Sequence, residues 1–173
     1  KEGAKECVDA LKNAGMRVAM LTGDNEYAAK RVAEELGVGE TVANALPTDK
    51  AVYVERLSRQ GRNVLMIGDG INDAAAFALS SVAVCMGSGA AVSIAKSDVV
   101  LIKDDPASLA AAVALARRTY RIVRQNLAFS LVYNAVTIPL AMAGYVAPAV
   151  AALSMSLSSV AVVLNALRAG SER

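Results

Sequence analysis

The chain has 173 residues, 55% of them apolar, with 18 Lys and Arg against 16 Asp and Glu, no His and two Cys. A net charge of +2 gives no support to a nucleic-acid-binding domain, and Cys7 and Cys85 lie too far apart for a metal-ligand spacing. The apolar excess is unevenly placed, because no Asp, Glu, Lys or Arg occurs between Leu127 and Leu167.

In chain order, Glu2–Ala14 reads as a helix closed by Gly15, and Arg17–Leu21 as a buried strand. Glu26–Leu36 is a second helix, ended by Gly37, and Thr41–Ala43 a second strand. Pro47 opens a third helix to Gln60, where proline's fixed φ and missing N–H suit the first turn, and Gly61 closes it. Asn63–Ile67 is a third strand, Asp73–Leu79 a helix, Val82–Cys85 and Asp98–Ile102 two further strands, and Cys85 a core residue. Continuous apolar runs alternating with helices predict an α/β fold, a parallel sheet with helices on both faces. A glycine-free helix follows, Pro106–Gln125, stiff enough to couple rather than tether what it joins.

The charge-free stretch then suffices for two crossings at about 20 residues per helical span. Gly144, Tyr145 and Pro148 break it, which predicts a transmembrane hairpin of Leu127–Ala143 and Ala149–Leu167. Arg117, Arg118, Arg121 and Arg124 precede it, Arg168 and Arg173 follow it, and the turn carries no basic residue. The excess of basic residues on cytoplasmic loops therefore places residues 1–126 and the C-terminus in the cytoplasm, with both cysteines reduced and anionic lipid headgroups as partners of the arginines.

Three polar signals fall at predicted strand ends, where open parallel sheets bind ligands. These are Leu21-Thr-Gly-Asp24, Pro47-Thr-Asp-Lys50 and Gly68-Asp-Gly-Ile-Asn-Asp73. Thr-Gly-Asp alone is a common turn, and a lone helix lysine is usually just solvated. Together, the paired carboxylates Asp69 and Asp73 suit a hard cation such as Mg²⁺ holding a phosphate. The hydroxyl and amides at Thr22 and Gly23 suit phosphate oxygens, and Lys50 suits charge neutralisation during in-line phosphoryl transfer.

This ordered set, with Met20 before the first motif, resembles the phosphorylation domain of P-type ATPases, within the haloacid-dehalogenase-like superfamily. The chain departs from that pattern at Ala75, where a proline is usual, and at Ala90-Ala91 after Gly89, where a Thr-Asp pair is usual. The resemblance implies a partial haloacid-dehalogenase-like domain over 1–105, a connecting helix over 106–126, the hairpin over 127–167 and a tail over 168–173. It implies Mg²⁺ on Asp69 and Asp73, phosphoryl contacts from Thr22, Gly23, Asp24 and Asn72, charge stabilisation by Lys50, and ATP as substrate. The Asp-Lys-Thr-Gly nucleophile motif is absent, so the chain reads as a fragment, inactive alone, whose partners are the remaining pump domains in cis or in trans.

Within the hairpin, Met155 and Ser159 share a helical face, and a thioether favours soft Cu(I) over ions that take carboxylates. The plainer reading is helix packing, with small residues at an interface and Asn or Tyr bonding across it. Tyr133-Asn134 followed by Met155-Ser-Leu-Ser-Ser159 and Asn165-Ala-Leu-Arg168 resembles the last two helices of copper(I)-transporting ATPases. That implies Tyr133, Asn134, Met155 and Ser159 as Cu(I) contacts in an inner- or plasma-membrane pump, with a copper chaperone among its candidate partners. The alternatives are Zn or Ag as the ion, a phosphatase of the superfamily, or the membrane-anchored half of a split pump.

Overall fold

The computed structural model describes residues 3–68, 71–103 and 105–170. Its contacts divide the chain into two compact units, Lys1–Ala111 and Ala112–Arg173. The first contains helices α1 (Ala4–Asn13), α2 (Glu26–Leu36), α3 (Pro47–Arg59), α4 (Ala74–Leu79) and α5 (Ala91–Ala95). Its strands are β1 (Ala19–Leu21), β2 (Glu40–Val42), β3 (Leu65–Gly68), β4 (Val82–Met86) and β5 (Val99–Leu101).

Local chemistry sets the helix ends. The Asn25 side chain accepts from the Ala28 N–H at 2.9 Å to start α2, and Gly37 ends it at φ 70°, a left-handed conformation that a Cβ would oppose. Pro47 begins α3, and the preceding Leu46 N–H donates to Asp49 Oδ2 at 2.9 Å, satisfying a backbone donor at the helix start.

Every strand pairing is parallel, as expected from the sequence, with Met20 opposite Thr41, Gly68 opposite Cys85 and Met86 opposite Leu101. The strands nevertheless form two sheets, β1-β2 and β3-β4-β5, rather than one. Each strand bonds to its neighbour across a crossover helix, and among the described residues no strand bridges β1 and β3. Parallel strands are normally covered on both faces. Here Ala19 of β1 is exposed and Ile67 of β3 retains 38% exposure.

The core gathers Val54 of α3, Met66 of β3, Ala76 and Phe77 of α4, and Ala83 and Cys85 of β4, with Ile94 of α5 against it. Phe77 and Cys85 are 2% and 0% exposed, so α3 and α4 are clamped onto the same strands. Removing an aromatic from such a site costs about 3–5 kcal/mol. The helix at Ala91–Ala95 is not evident from the sequence, since five residues are too few for a periodic signal. The expected Asp73–Leu79 helix is preceded by a 3₁₀ turn, Ile71–Asp73.

Among the described residues, the second unit consists of the larger part of one helix and the whole of another. The connecting helix and first span expected from the sequence are one uninterrupted element, α6 (Pro106–Met142), with Pro139 inside it, and α7 is Pro148–Leu167. Gly144, at φ 78°, turns the chain between them, and the Tyr145 N–H returns to the Leu140 carbonyl at 3.0 Å. The helices run antiparallel. The Tyr133 hydroxyl meets Ser154 Oγ at 2.9 Å, Asn126 Nδ2 donates to the Val162 carbonyl at 3.3 Å, and Asn165 Nδ2 donates to Asn126 Oδ1 at 2.8 Å. On α7 the half-buried residues are Ala151, Ser154, Ser158, Val162 and Asn165, a mostly small-residue stripe.

Among the described residues, Ala149–Leu167 is the one stretch whose helix is long and apolar enough to cross a membrane. The final part of α6 carries Tyr133, Asn134, Thr137 and Pro139 among its apolar residues and ends at Met142.

Candidate functional site

The carboxyl ends of β1, β3 and β4 border an open cleft of about 350 Å³, lined among others by Leu21, Lys50, Met66, Gly68, Asp73 and Met86. Lys50 sits in the first turn of α3, and Asp73 closes the 3₁₀ turn that leads into α4. Because α3 and α4 share the Val54–Phe77 core, the two side chains meet, with Lys50 Nζ 2.9 Å from Asp73 Oδ1. Their side chains are 16% and 8% exposed, and Asp73 is the one buried charged residue among those described. Asp73 is buried and Lys50 partly so, and removing the lysine would leave the carboxylate without its counter-charge at a cost of up to about 3–5 kcal/mol.

Gly68 makes room for that carboxylate. A Cβ at position 68 would lie 2.9 Å from Asp73 Cγ and closer still to Oδ2, contacts that force one of them to move. The sequence marked Gly68 only as the start of a motif. Its steric role follows from the chain folding back over the strand end, which the sequence did not show.

On the other side, the Thr22–Asp24 loop is tied down by its backbone. The Thr22 N–H donates to the Val42 carbonyl at 2.9 Å, the Ala45 N–H to the Thr22 carbonyl at 2.9 Å, and the Asn44 N–H to the Asp24 carbonyl at 2.8 Å. Thr22 Oγ1 donates to Asp24 Oδ2 at 2.8 Å and accepts from the Asp24 N–H at 3.1 Å. A Cβ on Gly23 would sit 3.7 Å from the Ala45 carbonyl oxygen, an ordinary contact, so packing does not demand glycine there.

The structure thus joins Lys50 with Asp73, joins Thr22 with Asp24, and leaves Asn72 exposed on the 3₁₀ turn. Asp69 lies outside the described residues. Among the described residues no three His, Cys, Asp or Glu side chains cluster as a ready-made metal cage. Mg²⁺ needs no such cage, since it is commonly held by one or two carboxylates with phosphate and water completing the shell. The Asp73 carboxylate, with Oδ2 held over bare Gly68, is a hard oxygen donor of that kind.

The four residues expected to contact a transported ion lie in the second unit and are placed differently from one another. Tyr133 faces the seam between α6 and α7 through Ser154. Asn134 is exposed, Met155 is 69% exposed, and Ser159 is exposed with its hydroxyl donating to the Met155 carbonyl at 3.1 Å. At about 100° per residue, Asn134 is roughly a quarter turn from the α6 seam, and Met155 and Ser159 are offset by up to about as much on α7. In two antiparallel right-handed helices, these offsets fall on the same flank.

Comparison with known proteins gives a consistent set of likenesses. Residues 1–80 match the family model described as haloacid dehalogenase-like hydrolase. The chain is 41% identical to a copper-exporting P-type ATPase of Bacillus subtilis (strain 168) and 42% identical to one of Staphylococcus haemolyticus (strain JCSC1435), over 97% of its own length in each case. It spans only 21% of either relative. Among solved structures, a zinc-transporting PIB-type ATPase in the E2.Pi state aligns with a TM-score of 0.90 at 34% identity, covering 98% of this chain and 28% of that one. The catalytic domain of a CPx-ATPase aligns with a TM-score of 0.61 at 39% identity, covering 65% of this chain and 45% of that one.

Proposed function

The chain belongs to the heavy-metal P-type ATPases, and we propose that it supplies the phosphate- and Mg²⁺-facing part of an ATP-driven Cu(I) transporter that works through an aspartyl phosphate. The observation that carries this reading is the Lys50–Asp73 pair at 2.9 Å, lining an open cleft at the strand ends. Lys50 sets a positive charge, preorganised by its pairing with Asp73, where negative charge develops on a transferring phosphoryl group. The Gly23 amide donates to phosphate oxygens, and so does the Thr22 hydroxyl once its single proton turns from Asp24 Oδ2 to the phosphate, while Asp24 keeps the hydroxyl in place through its N–H. Asn72 reaches the phosphoryl group from the 3₁₀ turn. Asp73 and Asp69 hold Mg²⁺, which when bound neutralises phosphate charge.

The nucleophilic aspartate comes on a strand outside these 173 residues. Unbridged strands β1 and β3, with Leu21, Met66 and Ile67 lining the cleft, leave a place for a parallel strand whose end would reach Lys50. Part of the fold is thus completed by the remaining pump domains, in cis or in trans.

Both α7 and the apolar end of α6 cross the membrane, with residues 1–126 and the C-terminus cytoplasmic. Relatives divide over the ion, since the curated ones are named for copper and the aligned structure for zinc. Cu(I) is favoured by Met155, a soft thioether on the same flank as Asn134 and Ser159, and by the lack of any carboxylate from Leu127 to Leu167.

The test uses the full-length protein with ATP. Lys50→Ala should lower phosphoenzyme formation by roughly 10²–10³-fold. Met155→Ala should weaken Cu(I)-stimulated hydrolysis while folding is unchanged. Strong stimulation by Zn²⁺ without Cu(I) would overturn the ion assignment and leave the phosphoryl-transfer assignment standing.

A further inference from the structure

The segment of α6 before the charge-free stretch has two different faces. Arg118 donates to the Arg168 carbonyl, Ile122 is 8% exposed and Asn126 donates to the Val162 carbonyl, so this face belongs to α7. Arg117, Arg121, Arg124 and Ala128 are spaced i, i+4, i+7 and i+11, which sets them in one row on another face. With Tyr120 and Gln125 they line an open cleft of about 570 Å³ within the second unit. Tyr120 is 64% exposed, and the Arg124 guanidinium stands 6.0 Å from its ring centroid.

Position along the helix selects the occupant. At about 1.5 Å per residue, Arg124, Arg121 and Arg117 lie about 4.5, 9 and 15 Å before Leu127, where the uncharged stretch begins. A headgroup layer is roughly 5–8 Å deep on each side of the hydrocarbon. Arg124 and Arg121 therefore fall at phosphate depth once their long side chains extend, and Tyr120 stands beside them where amphipathic rings favour the interface. Guanidinium forks match phosphate oxygens in pairs.

We infer that Tyr120, Arg121 and Arg124 form a binding site for the phosphate of an anionic membrane lipid, with Arg117 adding charge above it. The inference rests on the membrane-spanning reading of 127–167 and deepens it by naming the lipid class and the residues that select it. The row faces away from the α7 seam, so one set of side chains joins the helices and another reads the bilayer. Each arginine should raise the local preference for anionic over zwitterionic lipid roughly five-fold.

The experiment reconstitutes the full chain into phosphatidylcholine bilayers containing a minority of phosphatidylglycerol. The lipid ratio retained per chain is measured after mild detergent extraction. Wild type should hold phosphatidylglycerol well above its bulk ratio, and R121Q/R124Q should return to the bulk ratio. R121K/R124K should keep most of the preference, and Lys30→Gln, on exposed α2, should keep all of it. Enrichment that survives R121Q/R124Q, or that excess soluble glycerol phosphate abolishes, overturns the lipid site. Alkaline extraction separates the two levels of claim. A chain retained in the membrane without enrichment refutes the headgroup site alone, whereas a chain released by alkali refutes the membrane-spanning reading and the site with it.

Discussion

At the residue scale, two positions separate folding from chemistry. Tyr53 donates its hydroxyl to Glu40 Oε1 at 2.6 Å and lies 4.9 Å beneath the Arg56 guanidinium. Burial first, and then the Glu40 carboxylate, push the phenol up from 10.0 to about 12. A raised folded value means that the neutral phenol is the form the fold favours. Its contribution is complete below pH 10, the ordinary value, and is lost as pH rises through about 12. Phenolate absorbance should thus include a late step from Tyr53, which Tyr53→Phe should remove. Gly23 behaves oppositely. A methyl group there meets only the Ala45 carbonyl oxygen at 3.7 Å, so Gly23→Ala should fold normally. If the bare amide approaches phosphate, phosphoenzyme formation in the full-length protein should fall on the order of 10–100-fold, because small misplacements at a reacting centre are costly. Unchanged phosphorylation would remove Gly23 from the site.

At the element scale, the junction from β3 through the 3₁₀ turn to α4 governs how the site is assembled. The strand ends at Gly68 and the chain returns over it, placing Asp73 against Lys50. Gly68→Ala drives a Cβ to within 2.9 Å of Asp73 Cγ, so either the carboxylate or the turn must shift. Phosphorylation should drop sharply in this variant, while far-ultraviolet dichroism stays near wild type, since the Val54–Phe77 core is untouched. A variant that phosphorylates normally would show that the carboxylate has freedom to relocate. This junction was half legible in advance. The motif Gly68–Asp73 stood out by composition, but a Gly–carboxylate contact five residues apart depends on a turn geometry that residue spacing does not specify.

At the scale of the whole molecule, the separation of β1-β2 from β3-β4-β5 has a consequence for activity. Asp24 is hydrogen-bonded to Thr22, Asp73 is paired with Lys50, and the Asp-Lys-Thr-Gly motif that would carry the nucleophile is absent from the 173 residues. The 173-residue chain alone should therefore form no acid-stable, hydroxylamine-sensitive phosphoenzyme from ATP. Adding the rest of a full-length relative as a separate polypeptide should restore it, and Asp73→Asn should then abolish it. Radiolabel on this chain alone would mean that the nucleophile lies within it and that the proposed strand site is misassigned.

Apolar runs, glycine stops and the proline start were enough to locate most strands and helices, because these signals are local and each residue carries its own backbone preference. The order of the three polar motifs likewise pointed to phosphate chemistry, since each directly follows a strand or opens a helix. Tertiary structure alone decided that the parallel strands form two sheets, because ladder partners are chosen between residues far apart in sequence. It also decided that Pro106–Met142 is a single helix, where composition changes at Leu127 but backbone hydrogen bonding does not. Above all, it brought Lys50 and Asp73 to 2.9 Å. That distance depends on two helices docking on one core, and the packing of Val54, Phe77 and Cys85 is a property no single segment contains.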